Sequence, residues 1–348
     1  MLELKLNKAS SLLGEFAAIS FMGSIAAAAG WTGIGIVLFP ELAALSYEVF
    51  RHPTGKWAAQ PFRLVATPTL TAIIGLLAAR HAHFGVLSIL AVTLASLGTI
   101  RILRSSIGPA ISAGLLPLVL NEQRWLYPVA IFADLLCLVT ALWLWKRYGP
   151  VRPEMTSHTV TASDKLEAAP TDRLWLLHLS SFVTLLSVVG QRTGLWLILF
   201  PPLVVMAFEI LGHPELPAWA ERPVLFPLAC ALPATMSVFA LHLMRNQTLS
   251  VMAVLTVSML SLRVFKIQMP PALAVGLIPF IMTAPNYSYP VSVAIGASTL
   301  AVWSVIRTKV QRILLSTSNQ RAREQKSTDW CHDGSPQLRA THTGSSTD

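Results

Sequence analysis

The run Thr32–Pro53, TGIGIVLFPELAALSYEVFRHP, aligns without a gap to Thr193–Pro214, TGLWLILFPPLVVMAFEILGHP, and nine of the 22 positions are identical. They are Thr32/Thr193, Gly33/Gly194, Leu38/Leu199, Phe39/Phe200, Pro40/Pro201, Leu42/Leu203, Glu48/Glu209, His52/His213 and Pro53/Pro214. Shared leucine means little in an apolar stretch, but shared Pro, Glu and His are rare events there. After a one-residue insertion the register continues at an offset of 162, with Trp57/Trp219, Pro61/Pro223, Arg101/Arg263, Pro109/Pro271, Ala110/Ala272, Gly114/Gly276, Pro117/Pro279, Tyr127/Tyr289 and Pro128/Pro290. The chain is therefore read as a tandem duplication.

The medium in which the two copies fold follows from composition. Of 348 residues, 53% are apolar and only 12% charged, and the mean hydropathy is +0.59. A water-soluble fold with so few charges would expose large apolar patches, which argues against a cytosolic enzyme or a nucleic-acid-binding domain. Apolar segments lie near 11–30, 31–50, 64–79, 84–100, 107–121 and 127–145, then near 174–190, 194–211, 223–243, 247–262, 270–284 and 288–306. Several are shorter than the roughly 20 residues a straight span needs, so some are expected to be broken, tilted or re-entrant. No small-residue cleavage site stands out after Met1, so the first segment is expected to be a spanning helix. The expected fold is all-α: a polytopic transmembrane helical bundle of about 10–12 membrane segments, in two parallel tandem repeats with some short or broken helices. The expected organisation is a first repeat over 1–146, a polar cytoplasmic linker over 147–173, a second repeat over 174–313 and a disordered cytoplasmic tail over 314–348.

Charge sets the expected orientation. With the N-terminus inside and six crossings per copy, 22 of the 26 Lys and Arg fall on the inner side, leaving only Arg80, Arg124, Arg192 and Arg245 outside. This is the positive-inside pattern of a cell (inner) membrane protein with both termini cytoplasmic. It accounts for the net charge of +9 without a nucleic-acid partner. An even number of crossings per copy makes the repeats parallel, related by an axis along the membrane normal. The expected partners are the bilayer and a small solute, and the composition allows a homo-oligomer.

The most specific local pattern is Arg101-Ile-Leu-Arg104 followed by Ile107-Gly-Pro109-Ala110 and Pro117, repeated as Arg263-Val-Phe-Lys266 followed by Met269-Pro-Pro271-Ala272 and Pro279. Proline suits the first turn of a helix, where its missing N–H costs nothing. Pro109 and Pro271 thus read as starts of short helices whose N-termini, with Ala110, Ala272 and the basic pairs, would form two anion sites about one axis. The bland alternative is loop charge and turn punctuation. Glu48 and Glu209 lie four residues before His52 and His213. That spacing puts Glu and His on one helix face if the helix continues, a candidate proton relay; pairing with nearby interfacial Arg or Lys is the plainer reading. Glu15 and Asp134 lack acidic counterparts in the other copy, so each is a one-sided coupling residue or the partner of an Arg. His178 carries no pattern. Trp31, Trp57, Trp125, Trp143, Trp145, Trp219 and Trp303 read as an interfacial belt. Cys137, Cys230 and Cys331 form no CxxC or Cys/His cluster, so no metal and no other cofactor is expected.

The Leu38-Phe39-Pro40-x-Leu42-Ala43 run, the Ala59-Gln60-Pro61-Phe-Arg63 loop and the Pro109-Ala110 motif with Pro117 resemble the HPP family of integral membrane proteins. That family pairs an Ala-Gln-Pro loop with a downstream His-Pro-Pro-Ala-Gly-Ala-Asn-Pro motif. Here its naming tripeptide becomes Ile107-Gly108-Pro109 in one copy and Met269-Pro270-Pro271 in the other. The resemblance covers about residues 30–146 and, more faintly, 193–306. It implies transport of a small inorganic anion such as nitrite. The expected function is a secondary transporter or channel for such an anion, coupled to protons and not an enzyme. The alternatives are a membrane-embedded enzyme acting on a lipid or isoprenoid, and a non-transporting membrane scaffold.

Overall fold

A computed structural model describes residues 2–149, 174–212, 223–285 and 287–332. Six α-helices form the first copy: α1 (Leu2–Thr32), α2 (Glu41–Arg51), α3 (Pro61–His81), α4 (Val86–Ile102), α5 (Pro109–Leu120) and α6 (Leu126–Tyr148). Six more follow in the same order: α7 (Trp175–Thr193), α8 (Pro201–Gly212), α9 (Leu225–Leu243), α10 (Gln247–Phe265), α11 (Pro271–Val275) and α12 (Ser288–His332). Short 3₁₀ turns precede α2 (Gly35–Val37) and α8 (Trp196–Leu199), and one follows α11 (Ile278–Ile281). Among the described residues, six helices are long and apolar enough to cross a bilayer: Ser11–Thr32 of α1, α3, α6, α9, α10 and Ser288–Val310 of α12. The protein is an all-α, multi-pass membrane bundle.

The duplication reaches the level of single hydrogen bonds. Thr32 closes α1 by donating its hydroxyl to Ala28 O at 2.8 Å, and Thr193 closes α7 on Val189 O at 2.8 Å. Gly33 and Gly194 then take the left-handed conformation, φ +68° and +73°, which costs a glycine little. Arg104 and Lys266 are also left-handed, φ 48° and 54°, ending α4 and α10 at equivalent places. Tyr127 donates its hydroxyl to Ala113 O at 2.7 Å, and Tyr289 to Val275 O at 2.6 Å.

The four short helices form the middle. Glu41–Phe50 of α2, Pro109–Leu118 of α5 and all five residues of α11 are buried, as is all of α8 except Phe208. A 12-residue helix is about 18 Å long, well short of a roughly 30 Å hydrocarbon layer. Interrupted backbone at that depth is tolerated only where other protein encloses it, and the longer helices do so. Between repeats, the contacts recur with the copies exchanged: α1 packs on α10 as α7 does on α4, and α5 packs on α8 as α11 does on α2.

Small residues make the approach close. A methyl on Gly75 of α3 would stand 1.8 Å from Gly114 O of α5, and one on Gly114 would stand 2.6 Å from Ser96 Oγ of α4. In the second copy, Gly276 faces Val254 and Ser258 of α10, the counterparts of Val92 and Ser96. With lipid outside as apolar as the core, such backbone proximity is what makes packing favourable.

Two expectations change. Helix α6 runs to Tyr148, past the expected start of the linker, whose residues 150–173 lie outside the described residues. Helix α12 continues to His332 through the stretch read as a disordered tail; the Gln-, Arg-, Glu- and Lys-containing run is polar yet made largely of good helix formers. Contacts divide the chain into Met1–Ser304, holding both repeats, and Val305–Asp348, whose described part is the helix to His332.

Candidate functional site

At the end of the bundle carrying the C-termini of α4 and α10, Glu15 of α1 is almost enclosed, its side chain 8% exposed. Arg263 of α10 donates from Nε to Glu15 Oε1 at 3.1 Å, and its Nη2 lies 2.5 Å from Oε2. Arg51 of α2 adds a weaker pairing at 4.0 Å, and donates to Tyr47 OH. Glu15 thus ties α1 to both α2 and α10. In the other copy Leu176 stands where Glu15 does, and Arg101 is exposed. Arg104 and Lys266 are exposed as well.

The starts of α5 and α11 are buried: Pro109, Ala110, Pro271 and Ala272 are all in the core. Their surroundings differ from the expected guanidinium. The α5 start faces the second copy, where a methyl on Gly108 would sit 3.3 Å from Val205 Cγ1 and 3.5 Å from Glu209 Oε1. A carboxyl group from α8 therefore lies at the electropositive end of α5, as helix starts favour. Glu48 is near enough to Glu209 to act on it electrostatically. The expected donors are also partly taken. Ala110 N–H turns back to Ile107 O at 3.3 Å and Ala272 N–H to Met269 O at 3.1 Å, while Pro109 and Pro271 have none to give. What the starts present is the field of the turn rather than these two N–H groups.

The Glu48/His52 face is not formed as a helix face, because α2 stops at Arg51. His52 is its C-cap, with φ −123° and its N–H donated to Glu48 O at 2.8 Å. Pro53 follows directly, and a residue before proline is disfavoured in the helical region. His213 and Trp219 lie outside the described residues. Of the tryptophans, Trp31, Trp125 and Trp143 are exposed. Trp57 instead is buried and donates its indole N–H to Ser106 O at 3.0 Å, pinning the 52–60 loop under the approach to α5.

One acidic residue escaped the sequence reading. Glu41, the first residue of α2, is 2% exposed. Ser112 of α5 donates its hydroxyl to Oε1, and Oε2 has no hydrogen-bond partner among the described residues. Its counterpart is Pro202, so a search for acids shared between copies passes over it. Asp134 of α6 is similarly one-sided, opposite Gly296; it is 4% exposed and its Oδ2 is unpartnered among the described residues.

At the opposite end of the short helices lies a half-open hollow of about 380 Å³, lined by Phe84, Leu118, Asn121, Trp196, Ile281 and Thr283 among others. The wall 119–121 of the first copy and the wall 281–283 of the second are equivalent by the 162-residue offset, which places the hollow between the copies. No group of three or more His, Cys, Asp or Glu able to hold a metal ion occurs among the described residues. Comparison with family models, curated proteins and solved structures gives no match to this chain.

Proposed function

We propose that the protein is a secondary transporter of a small inorganic anion of the nitrite class, coupled to protons, in the cell (inner) membrane with its basic end and termini in the cytoplasm. The observation that carries this reading is the Glu209 carboxyl at the buried start of α5. A site that accommodates the chain's own carboxylate has the field to accommodate a free anion of similar size. A proton on Glu209 would cancel that internal occupant and leave the helix start to the anion, which links the two movements. Glu48 is the repeat counterpart of Glu209 and lies on α2, which packs on α11. The interrupted helices about an axis, with a hollow between the copies at one end, are a layout suited to alternating access. Arg101, Arg104 and Lys266, exposed at the basic end, would draw anions toward the bundle, and Arg263 would act through its pairing with Glu15. The helix-end field is worth at most about 2 kcal/mol, weak enough to release what it binds.

The test is uptake into proteoliposomes of nitrite, nitrate, formate and chloride, with and without an imposed proton gradient. Wild type should take up at least one of them in a gradient-dependent manner. Glu209→Gln should move the same anion down its own gradient with the proton dependence lost. Uptake of none of them by the wild type refutes transport of this class, and an unaltered proton dependence in Glu209→Gln refutes the coupling role.

A further inference from the structure

We infer that Glu41 carries an exchangeable proton within the bundle and passes it along α5, between the Glu209 end and the hollow at the other end. The relay role rests on the transport reading; proton occupancy at Glu41 does not. Helix α5 serves as the ruler. Gly108, beside Glu209, is four residues from Ser112, beside Glu41, or about 6 Å along the axis; Leu118 at the hollow is six residues further, about 9 Å. By position along α5, Glu41 therefore stands between the two.

Its surroundings suit a group that gains and loses a proton. The carboxyl is buried, with one hydroxyl donor on Oε1 and no hydrogen-bond partner on Oε2 among the described residues. A carboxylate so placed, within a membrane and with only neutral donors, the Ser112 hydroxyl and its own backbone N–H, is costly, whereas the neutral acid is not. On its own helix the cation is Arg51, ten residues on and about 15 Å away, engaged with Tyr47 and Glu15. Of the helices packed on α2, α5 and α11 contain no titratable side chain. Helix α1 brings Glu15, which is held by Arg263. Helix α6 brings Tyr127, Asp134 and Lys146, while its Cys137, Arg147 and Tyr148 are exposed; Tyr127 donates to Ala113 O, and Lys146 to Ala58 O at 3.0 Å. Tyr289 of α12, also within electrostatic reach of Glu41, donates to Val275 O. None of these bonds closes Oε2. On uptake an O–H bond forms on Oε2 as one breaks on a hydronium ion or a protonated neighbour, and on release the O–H bond on Oε2 breaks as one forms on an accepting water.

The experiment is infrared spectroscopy of the whole protein in lipid vesicles, in H2O and D2O, joined to nitrite-driven proton uptake by the same vesicles. Wild type should show a carboxylic-acid C=O band that shifts in D2O. Glu41→Gln should lose that component, Asp134→Asn and Glu209→Gln should keep it, and Ser112→Ala should shift it upward by removing the hydroxyl donor. A band unchanged in Glu41→Gln overturns the assignment; if that variant fails to insert, an unshifted band in Ser112→Ala overturns it. In the flux arm, Glu41→Gln should lose proton uptake while nitrite still moves down its gradient, and wild-type proton uptake in that variant overturns the relay. A wild type that moves no nitrite defeats both transport and relay, while the band still decides whether Glu41 holds a proton.

Discussion

Glu15 shows how one carboxyl sets the roles of several cations. With its side chain 8% exposed, it depends on Arg263 for two contacts and on Arg51 for a distant third. Removing Arg263 leaves an underpaired, nearly enclosed charge, a loss that is large for buried pairs but is moderated here because the Arg263 side chain is 39% exposed. Arg263→Gln should cost about 1–2 kcal/mol, read as a lowered thermal midpoint in detergent. Its repeat counterpart Arg101→Gln, on the surface, should stay within about 0.5 kcal/mol of wild type. Equal effects in the two variants would dismiss the Glu15 pairing as the cause. The sequence shows that Glu15 lacks an acidic counterpart and offers an Arg as one partner, but which Arg depends on α1 lying against α10. Glu41 was illegible for another reason: following Phe39-Pro40 at the head of a helix, it looks like an ordinary acid in a first turn, and only the packing of α5 over it reveals the burial.

At the scale of elements, glycine decides how near the helices come. Gly75 and Gly114 let the α3 and α5 backbones touch, and a methyl at Gly75 would overlap Gly114 O. Gly75→Ala should therefore force the pair apart at a cost of roughly 1–3 kcal/mol. Gly98 on α4 has nothing within 4 Å of where its methyl would lie, so Gly98→Ala should be neutral or stabilising by up to about 1 kcal/mol. Thermal unfolding of the two variants side by side checks the contrast, and a tolerated Gly75→Ala would mean that the contact is not close. The starts of the short helices were readable from Pro109 and Pro271, because proline belongs in a first turn. Their ends were not. Helix α5 passes through Pro117, but α11 stops at Val275 and resumes as a 3₁₀ turn. The β-branched Val275 and Ile278 stand where α5 has Ala113 and Leu116, which weakens the helix just before Pro279.

For the molecule as a whole, the repeat offset and the apolar segments carried the architecture, since Pro, Glu and Tyr recurring at a fixed spacing place equivalent turns and bonds at equivalent depths. What they could not give was the exchange of partners, in which α5 rests on α8 and α2 on α11. Each copy's short helices thus rest partly on the other's, so the two copies share the covering of their interrupted backbone. Residues 1–149 and 174–348 produced as separate chains should co-purify from the membrane when expressed together, and each should be degraded when expressed alone. A first copy that accumulates and stays folded without the second would show that the exchange is not essential.

The placement of Glu41 opposite Pro202 gives the covalent join a purpose. Two identical chains meeting about a true dyad must place every residue twice, so an acid hidden near the axis would bring its twin with it. A single polypeptide escapes that rule: one copy keeps a proton-binding group while its sibling fills the same place with a ring that binds none. Asp134 opposite Gly296 follows the same logic, with the glycine on α12 letting the Ile198 carbonyl approach the backbone. Fusion has let inherited symmetry shape the frame while chemistry is spent on one side only.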